Sequence, residues 1–363
     1  MKSPEVESRS RLAPLRIGIL GCAGIAHPFA RDVALSRLAT VTAVASRDAT
    51  KAASFAATHR IARHHGSYEA LLNDANIDAV YIPLPNSLHA EWAIKAAQAG
   101  KHVLCETPLA LARSEAQAMF NAAQQNGVML LEAFPYYFQP QTGDMLALLH
   151  SGAIGDVQSV QASFGFMLKP PVADAPLNIR LNPSLGGGAL LDVGCYALSL
   201  IRLVMGEAPT QVQANASFTT TGVDISLMAT LLFADGRRAQ LSCAMNAANH
   251  RHASIVGTRG TLQTEYLNHT SAVPTGDAFG YVPSRMRLSI DANARGAKSA
   301  VFKEITSPTG SGFRFAAEAF AKVIAEQDFA AVARAAQASV DNAATLEAIA
   351  RSATSGLVEA VSH

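Results

Sequence analysis

Up to about residue 131 the chain alternates short apolar runs with alanine-rich segments, and this alternation constrains the fold more than any other feature. Leu15–Leu20, Val41–Ala45, Asp78–Ile82, Lys101–Cys105 and Val128–Leu131 read as strands. The stretch after Gly24 to about Ser36, Ala49–Thr58, Tyr68–Asn73, His89–Ala99 and Arg113–Gln125 read as helices. Strands separated by helices at this spacing imply right-handed crossovers and a doubly wound parallel sheet covered on both faces.

After Phe134 the pattern changes. Val157–Phe166, Gln211–Thr219, Asp224–Phe233, Arg238–Met245 and His252–Gly257 read as longer strands. Apolar side chains recur at every second position (Val212, Ala214, Ala216, Phe218), which predicts a mainly antiparallel or mixed sheet with one face covered. Asp235–Gly236 between two such strands predicts a hairpin. Thr142–His150, Phe313–Gln327 and Val340–Gly356 read as helices, and the Gly-, Pro- and Ser-containing stretch Leu267–Ser311 as surface excursions. At 363 residues the chain exceeds the roughly 250–300 that one core supports, so two domains are expected, 1–134 and 135–363.

Composition removes several classes of function. Lys+Arg 29 against Asp+Glu 28 leaves a net charge of +1, with no global field to draw in nucleic acid or an acidic membrane. No uncharged apolar run reaches the ~18–20 residues needed to cross a bilayer. Met1–Pro14 is charged and lacks the apolar core of a signal peptide, and Ser10 separates Arg9 from Arg11, so no twin-arginine signal forms. Cys22, Cys105, Cys195 and Cys243 lie far apart without CxxC spacing, which reads as reduced thiols in a cytoplasmic protein with no metal centre. His64-His65 reads as a strand edge, His250 and His252 as strand or loop residues, and Trp92 as core.

One turn carries chemistry. The run Ile17-Gly18-Ile19-Leu20-Gly21-Cys22-Ala23-Gly24-Ile25-Ala26 leaves a strand and enters a helix. Gly21 allows the tight turn, small Ala23 lets backbone approach a pyrophosphate, and Gly24 and Ala26 let the helix sit close to the sheet. The strict GxGxxG pattern is broken by Ala23 and Ala26, and an ordinary glycine turn reads similarly. The second strand ends in Ser46-Arg47-Asp48. Ser46 can donate to a 2′-phosphate and Arg47 can pair with it while stacking on adenine, which favours NADP(H). Asp48 keeps NAD(H) open, and a solvated loop arginine is the plain alternative.

Three further stretches are more specific. They are Asp78-Ala79-Val80-Tyr81-Ile82-Pro83-Leu84-Pro85-Asn86-Ser87-Leu88-His89, then Gly100-Lys101-His102-Val103-Leu104-Cys105-Glu106-Thr107-Pro108-Leu109, then Gly186-Gly187-Gly188-Ala189-Leu190-Leu191-Asp192-Val193-Gly194-Cys195-Tyr196. In this order they resemble the Gfo/Idh/MocA oxidoreductases, in the branch of sugar dehydrogenases, anhydrofructose-type reductases and dihydrodiol dehydrogenases. The resemblance runs from about Leu15 to Val358. It implies an N-terminal Rossmann domain, and a C-terminal α/β domain whose open sheet forms a homodimer or homotetramer interface. It also implies that Pro83, Leu84, Asn86, His89, Glu106 and Pro108 line the ribose and nicotinamide side, with Asp192 and Tyr196 entering the cleft from the second domain. Their i, i+4 spacing independently fits one helix face, although a helix-end charge and a packing tyrosine would share it.

The chain departs from that family at two places. The usual Glu-Lys-Pro is Glu106-Thr107-Pro108 here. Threonine is uncharged and poor at acid–base work, although it can donate a hydrogen bond, and the bond before Pro108 is a candidate for cis. In Glu132-Ala133-Phe134-Pro135-Tyr136-Tyr137-Phe138-Gln139-Pro140, the basic residue and histidine that relatives carry are replaced near Tyr137 and Gln139. Tyr136, Tyr137, Gln139 and Arg180, with Asn182 beside it, are expected to contact a small-molecule substrate. The expected activity is NADP(H)-dependent hydride transfer to or from a sugar, cyclic polyol or related carbonyl. Tyr196 moves the proton, Asp192 orients it or acts as base, Thr107 assists, and His89 or a water relays. A cofactor-binding pseudoenzyme or sensor, and redox-assisted lyase or hydrolase chemistry, are the alternatives.

Overall fold

The computed structural model describes residues 13–169, 177–268, 281–290 and 301–362. The first sheet is wholly parallel. It holds β1 (Leu15–Leu20), β2 (Ala39–Ala45), β3 (Arg63–His65), β4 (Ala79–Ile82), β5 (His102–Cys105) and β6 (Leu130–Glu132) in the order β3-β2-β1-β4-β5-β6. Strand order reverses between β1 and β4, and the crevice at such a switch point is where open α/β sheets take their ligands.

Helices cover both faces: α1 (Ala26–Val33), α2 (Ala49–His59), α3 (Tyr68–Leu72), α4 (His89–Gln98) and α5 (Arg113–Gln125). Trp92 is core on α4, packed edge-on to Tyr68. This layer is not closed by its own segment. Phe313, Ala317 and Phe320 of α8 (Gly312–Glu326) pack against Ile17, Ile19 and Phe29, and Ser311 Oγ donates to the buried Asp32 Oδ2 at 2.5 Å.

The second sheet is built on α6 (Pro140–His150) and α7 (Cys195–Met205). It has nine strands: β7 (Val157–Met167), β8 (Gln211–Phe218), β9 (Asp224–Leu232), β10 (Arg238–Ala244), β11 (Asn246–Gly257), β12 (Gly260–Thr264), β13 (Ser284–Ile290), β14 (Lys303–Ser307) and β15 (Glu359–Ala360). Their order is β14-β13-β12-β11-β7-β10-β9-β8-β15, with β7–β10 the one parallel pair of this sheet among the described residues. The expected hairpin forms, with Gly236 at φ +89° and Leu232 opposite Arg238. The covered face packs on α7, which with the turns before it spans Pro183–Met205. An 18-residue window of that stretch is apolar enough to pass as a membrane span, yet 67% of the window is buried.

Two expectations change. Leu267–Ser311 contains two strands, β13 and β14, which extend the sheet, because edge pairing needs only a few alternating residues such as Arg285, Met286 and Arg287. Residues 269–280 and 291–300 of that stretch lie outside the described residues. Helix α9 runs Phe329–Ser355 instead of starting at Val340. It bridges the layers, giving Val340 and Ala343 to the first core and Leu346 and Ile349 to the second.

Candidate active site at the domain junction

At the phosphate end, Gly21 turns the chain at φ +110°, its amide donating to Ala45 O at 2.9 Å. A side chain there would meet Leu84 at 2.9 Å. Among the described residues no protein acceptor takes the amides of Cys22, Ala23, Gly24 or Ile25. Four free amides opening helix α1 fit a pyrophosphate. Close packing of helix on sheet comes from fully buried Ala26; Gly24 faces open space and has no such role.

Beyond β2, Asp48 caps α2, accepting from Thr50 N at 2.9 Å and Lys51 N at 3.1 Å. The carboxylate expected to keep NAD(H) open is therefore engaged with its own helix. Ser46 Oγ accepts from Asp48 N at 3.1 Å. Arg47 is exposed and acts on the Tyr68 hydroxyl, which lies 3.7 Å from where a Gly21 Cβ would stand, so a cation stands at the mouth of the glycine turn. Lys51 adds a second positive charge near Cys22.

At the other end, Leu84 covers the glycine turn, while Asn86 and His89 do positional work. Asn86 Nδ2 donates to Gly186 O at 2.8 Å, tying the two domains together. His89 is fully buried, with Nδ1 2.8 Å from Pro108 O and Nε2 2.8 Å from Leu84 O. Burial lowers its pKa while the two carbonyls pull it up, since the neutral ring donates to only one of them and the protonated ring to both. With both nitrogens facing backbone carbonyls it has no free nitrogen for a relay. It holds the Pro83–Leu84 loop against the cis Thr107–Pro108 turn. Pro83 and Pro108 are both buried there.

Glu106 accepts from the buried Tyr81 hydroxyl, and Tyr81 stacks on Phe29. Burial raises the Glu106 carboxyl to about 7, against the hydrogen bonds from Tyr81 and Thr107. Glu132, whose Oε1 accepts from Leu109 N at 2.8 Å, is also raised to about 7 by burial. Tyr196 lies beside Glu106, Cys195 and Thr107, and burial pushes its phenol up while the Thr107 hydroxyl pulls it down.

Asp192 sits in a π-helical turn, Leu190–Gly194, just before α7. Such turns occur frequently at functional sites. The wider turn alters the i, i+4 alignment with Tyr196. The carboxylate bonds instead to Arg180, Nε to Oδ2 2.8 Å, and the guanidinium lies 5.7 Å from the Phe166 ring. Arg180 thus joins the site, whereas Asn182 Oδ1 turns to Ser184 N at 3.0 Å.

Three expected substrate contacts lie elsewhere. Tyr136 is fully buried with its hydroxyl 2.9 Å from Ser199 Oγ, because the turn at Pro135 points it into the second core. Gln139 is 4% exposed and spends its amide on Gly310 O, Asn268 O and the Thr309 hydroxyl. Tyr137 is half exposed and lines a separate pocket of about 350 Å³ with Phe138, Arg202 and Ala335.

One residue of the site escaped the sequence reading. Arg251 of β11 stands on the covered side of the sheet, in register with Phe164. Its guanidinium lies 4.4 Å from the Phe164 ring, 4.7 Å from Tyr266, 4.8 Å from Tyr196 and 5.7 Å from Tyr136. The signal was present: Arg251, Ala253 and Ile255 alternate inward, and only Arg251 is charged.

A dinucleotide-type turn with free amides, facing a tyrosine and an ion pair carried by the helical turns that pack on a second sheet, defines a two-domain nicotinamide-type oxidoreductase. Residues 15–134 match the oxidoreductase family with NAD-binding Rossmann fold, and residues 144–263 match the GFO/IDH/MocA C-terminal domain. The chain belongs to the Gfo/Idh/MocA oxidoreductase family. It is 36% identical to D-xylose 1-dehydrogenase (NADP(+)) 2 of Haloferax volcanii over 94% of this chain and 98% of that one. It is 39% identical to the trans-1,2-dihydrobenzene-1,2-diol dehydrogenase of Danio rerio, over 69% of this chain and 74% of that one. Among solved structures it is similar to KijD10, a 3-ketoreductase from Actinomadura kijaniata in complex with NADP and TDP-benzene. There the TM-score is 0.79 at 29% identity, covering 93% of this chain and 98% of that one.

Proposed function

We propose that this chain is an NADP(H)-dependent dehydrogenase or reductase acting on a sugar, cyclic polyol or related small carbonyl compound. The observation that carries this reading is the Tyr196 phenol, set against Thr107 at the same junction where the Gly21 turn leaves four amides free. The amides of residues 22–25 would hold the pyrophosphate, Ser46 and Arg47 the 2′-phosphate, and Pro83, Leu84, Glu106 and Pro108 the nicotinamide side. The bound cofactor supplies hydride chemistry. Tyr196 gives its proton to the carbonyl oxygen during reduction and takes it back during oxidation, with Thr107 fixing the phenol's direction. Arg180, held by Asp192, presents its remaining donors to substrate hydroxyls. Glu106, at about 7, lies beside Tyr196 and exchanges its proton near neutral pH.

The test is NADPH oxidation against keto-sugars, quinones, enones and imines, with Thr107→Lys in parallel. Turnover of a keto-sugar by the natural chain supports the reading. Tight NADPH binding with no turnover, and activity appearing only with the lysine, would identify a sensor.

We also propose a cytoplasmic homodimer or homotetramer joined through the open sheet. The support is a flat face of neutral side chains (Gln161, Ser163, Gln213, Thr230, Gln240, Ser242) with Met228 69% exposed at its centre, and four unpaired cysteines. Sedimentation of the chain and of Met228→Arg reads out the assembly; a monomer in both overturns it.

A further inference from the structure

Arg251 is a charge without an acid. Its side chain is buried among four aromatic rings, its Nε has no hydrogen-bond partner, its Nη2 donates to Asn268 Oδ1 at 3.3 Å, and the Tyr266 hydroxyl is its other polar neighbour. Among the described residues no carboxylate pairs with it. Burying an unpaired cation is costly, and ring faces offset part of that, each by about 0.5–2 kcal/mol. The remaining positive potential falls on the polar atoms around it.

Three of the four rings are phenols, and two are already tied. Tyr136 shares a hydrogen bond with Ser199 Oγ, and Tyr266 donates to Ser163 O at 2.8 Å. Tyr196 is engaged by the Thr107 hydroxyl at the junction with the first domain. The groups facing it are Glu106 from the turn after β5, Tyr81 from β4, Cys195 from α7, Tyr136 in the ring cluster, and Arg251 from β11. Arg251 is the only cation among them.

We propose that Arg251 is the positioning residue for proton transfer by Tyr196: its guanidinium stabilises the phenolate that forms when Tyr196 gives up its proton. This rests on the reading of Tyr196 as proton donor. In reduction the phenolic O–H bond breaks as a new O–H bond forms on the substrate oxygen, whose carbon receives hydride from the reduced nicotinamide. The phenolate, held by Arg251, then takes a proton from water.

The decisive experiment needs no substrate. A ring-fluorinated tyrosine is installed at position 196, and its ionisation is followed by phenolate absorbance in the otherwise natural chain, in Arg251→Met and in Arg251→Lys. Removal of a cation at this distance raises the midpoint by about one to three pH units. Arg251→Lys holds it within half of that rise. An unchanged midpoint in Arg251→Met overturns the proposal. If Arg251→Met does not fold, Arg251→Gln takes its place, and an unchanged midpoint there overturns the proposal equally. In turnover, Arg251→Met lowers kcat about tenfold with Tyr196 present and less than twofold in a Tyr196→Phe background. An equal loss in both backgrounds overturns it as well. NADPH binding, read by nicotinamide fluorescence, stays unchanged in Arg251→Met. Absence of turnover on every carbonyl would sink the enzymatic reading and leave the titration to decide the Arg251–Tyr196 relation.

Discussion

Arg180 Nε lies 2.8 Å from Asp192 Oδ2, and this pair, rather than Asp192 with Tyr196, is how the acidic residue of the Gly186–Tyr196 run is engaged. Arg180 is 40% exposed and Asp192 23%, so the pair faces the cleft and adds little to stability. Arg180→Ala and Asp192→Ala are each expected to lower kcat/KM about tenfold or more, with the double variant no worse than the poorer single one. The melting temperature should stay within a degree or two of the natural chain. A large fall in melting temperature with unchanged kcat/KM would make the pair purely structural.

Cofactor preference is expected to reside in Arg47. Loss of one charge-assisted contact to a 2′-phosphate weakens NADPH by roughly 10- to 100-fold in Arg47→Ala and leaves NADH affinity unchanged. Fluorescence titration of the two cofactors measures the ratio. An unchanged ratio would move the phosphate contact to Lys51.

The buried acids set a pH dependence of stability. Glu106 and Glu132 have an ordinary carboxyl value of 4.5 and are raised to about 7. Their pKa values are higher folded than unfolded, so the folded chain binds more protons between those values. Stability therefore falls as pH rises from about 4.5 to about 7 and is level above, by a few kcal/mol at most for each group. Urea unfolding from pH 5 to pH 8 should show this decline, and Glu132→Gln should flatten part of it. A flat profile would show that these carboxyls ionise freely, and a slope of the opposite sign that folding lowers their pKa values.

Thr107 is expected to act through its hydroxyl. Thr107→Val, which keeps the shape, should lower kcat about tenfold, and Thr107→Ser should retain most of it. KM for the carbonyl substrate should move less than kcat in both. Equal activity of the valine variant would leave Tyr196 without help from this side.

Gly187 is where backbone, not side chain, shapes the site. A Cβ there would stand 2.6 Å from Arg180 O and 2.9 Å from Asn182 O. Gly187→Ala is expected to cost about 1–3 kcal/mol and to displace Arg180. Thermal unfolding together with kcat/KM checks it; loss of stability alone would separate the turn from the Arg180–Asp192 pair.

The parallel sheet was legible because burial on both faces demands apolar strands, and Leu15–Leu20 and Ala79–Ile82 can satisfy that demand in no other way. Edge strands β13 and β14 were not, since polar alternation in a Gly- and Ser-containing stretch reads equally well as loop. In the site, the glycine turn and Tyr196 were visible as short motifs. Gln139 and Tyr136 were misplaced because their neighbours in the motif say nothing about Gly310 or Ser199, which are 171 and 63 residues away.

By itself the sequence determined the doubly wound layer, the phosphate turn at Gly21, the threonine at position 107 and the tyrosine at 196, each a property of local spacing and residue type. Tertiary structure alone decided that Asp192 pairs with Arg180, that His89 is spent on Leu84 and Pro108, and that Arg251 meets Tyr196 across two elements of the second domain. The physical reason is reach. Charge and hydrogen bonding act over a few ångströms through space, and which residues come that close depends on how α7 packs on β7 and on the register in which β11 pairs with β7, not on their separation along the chain.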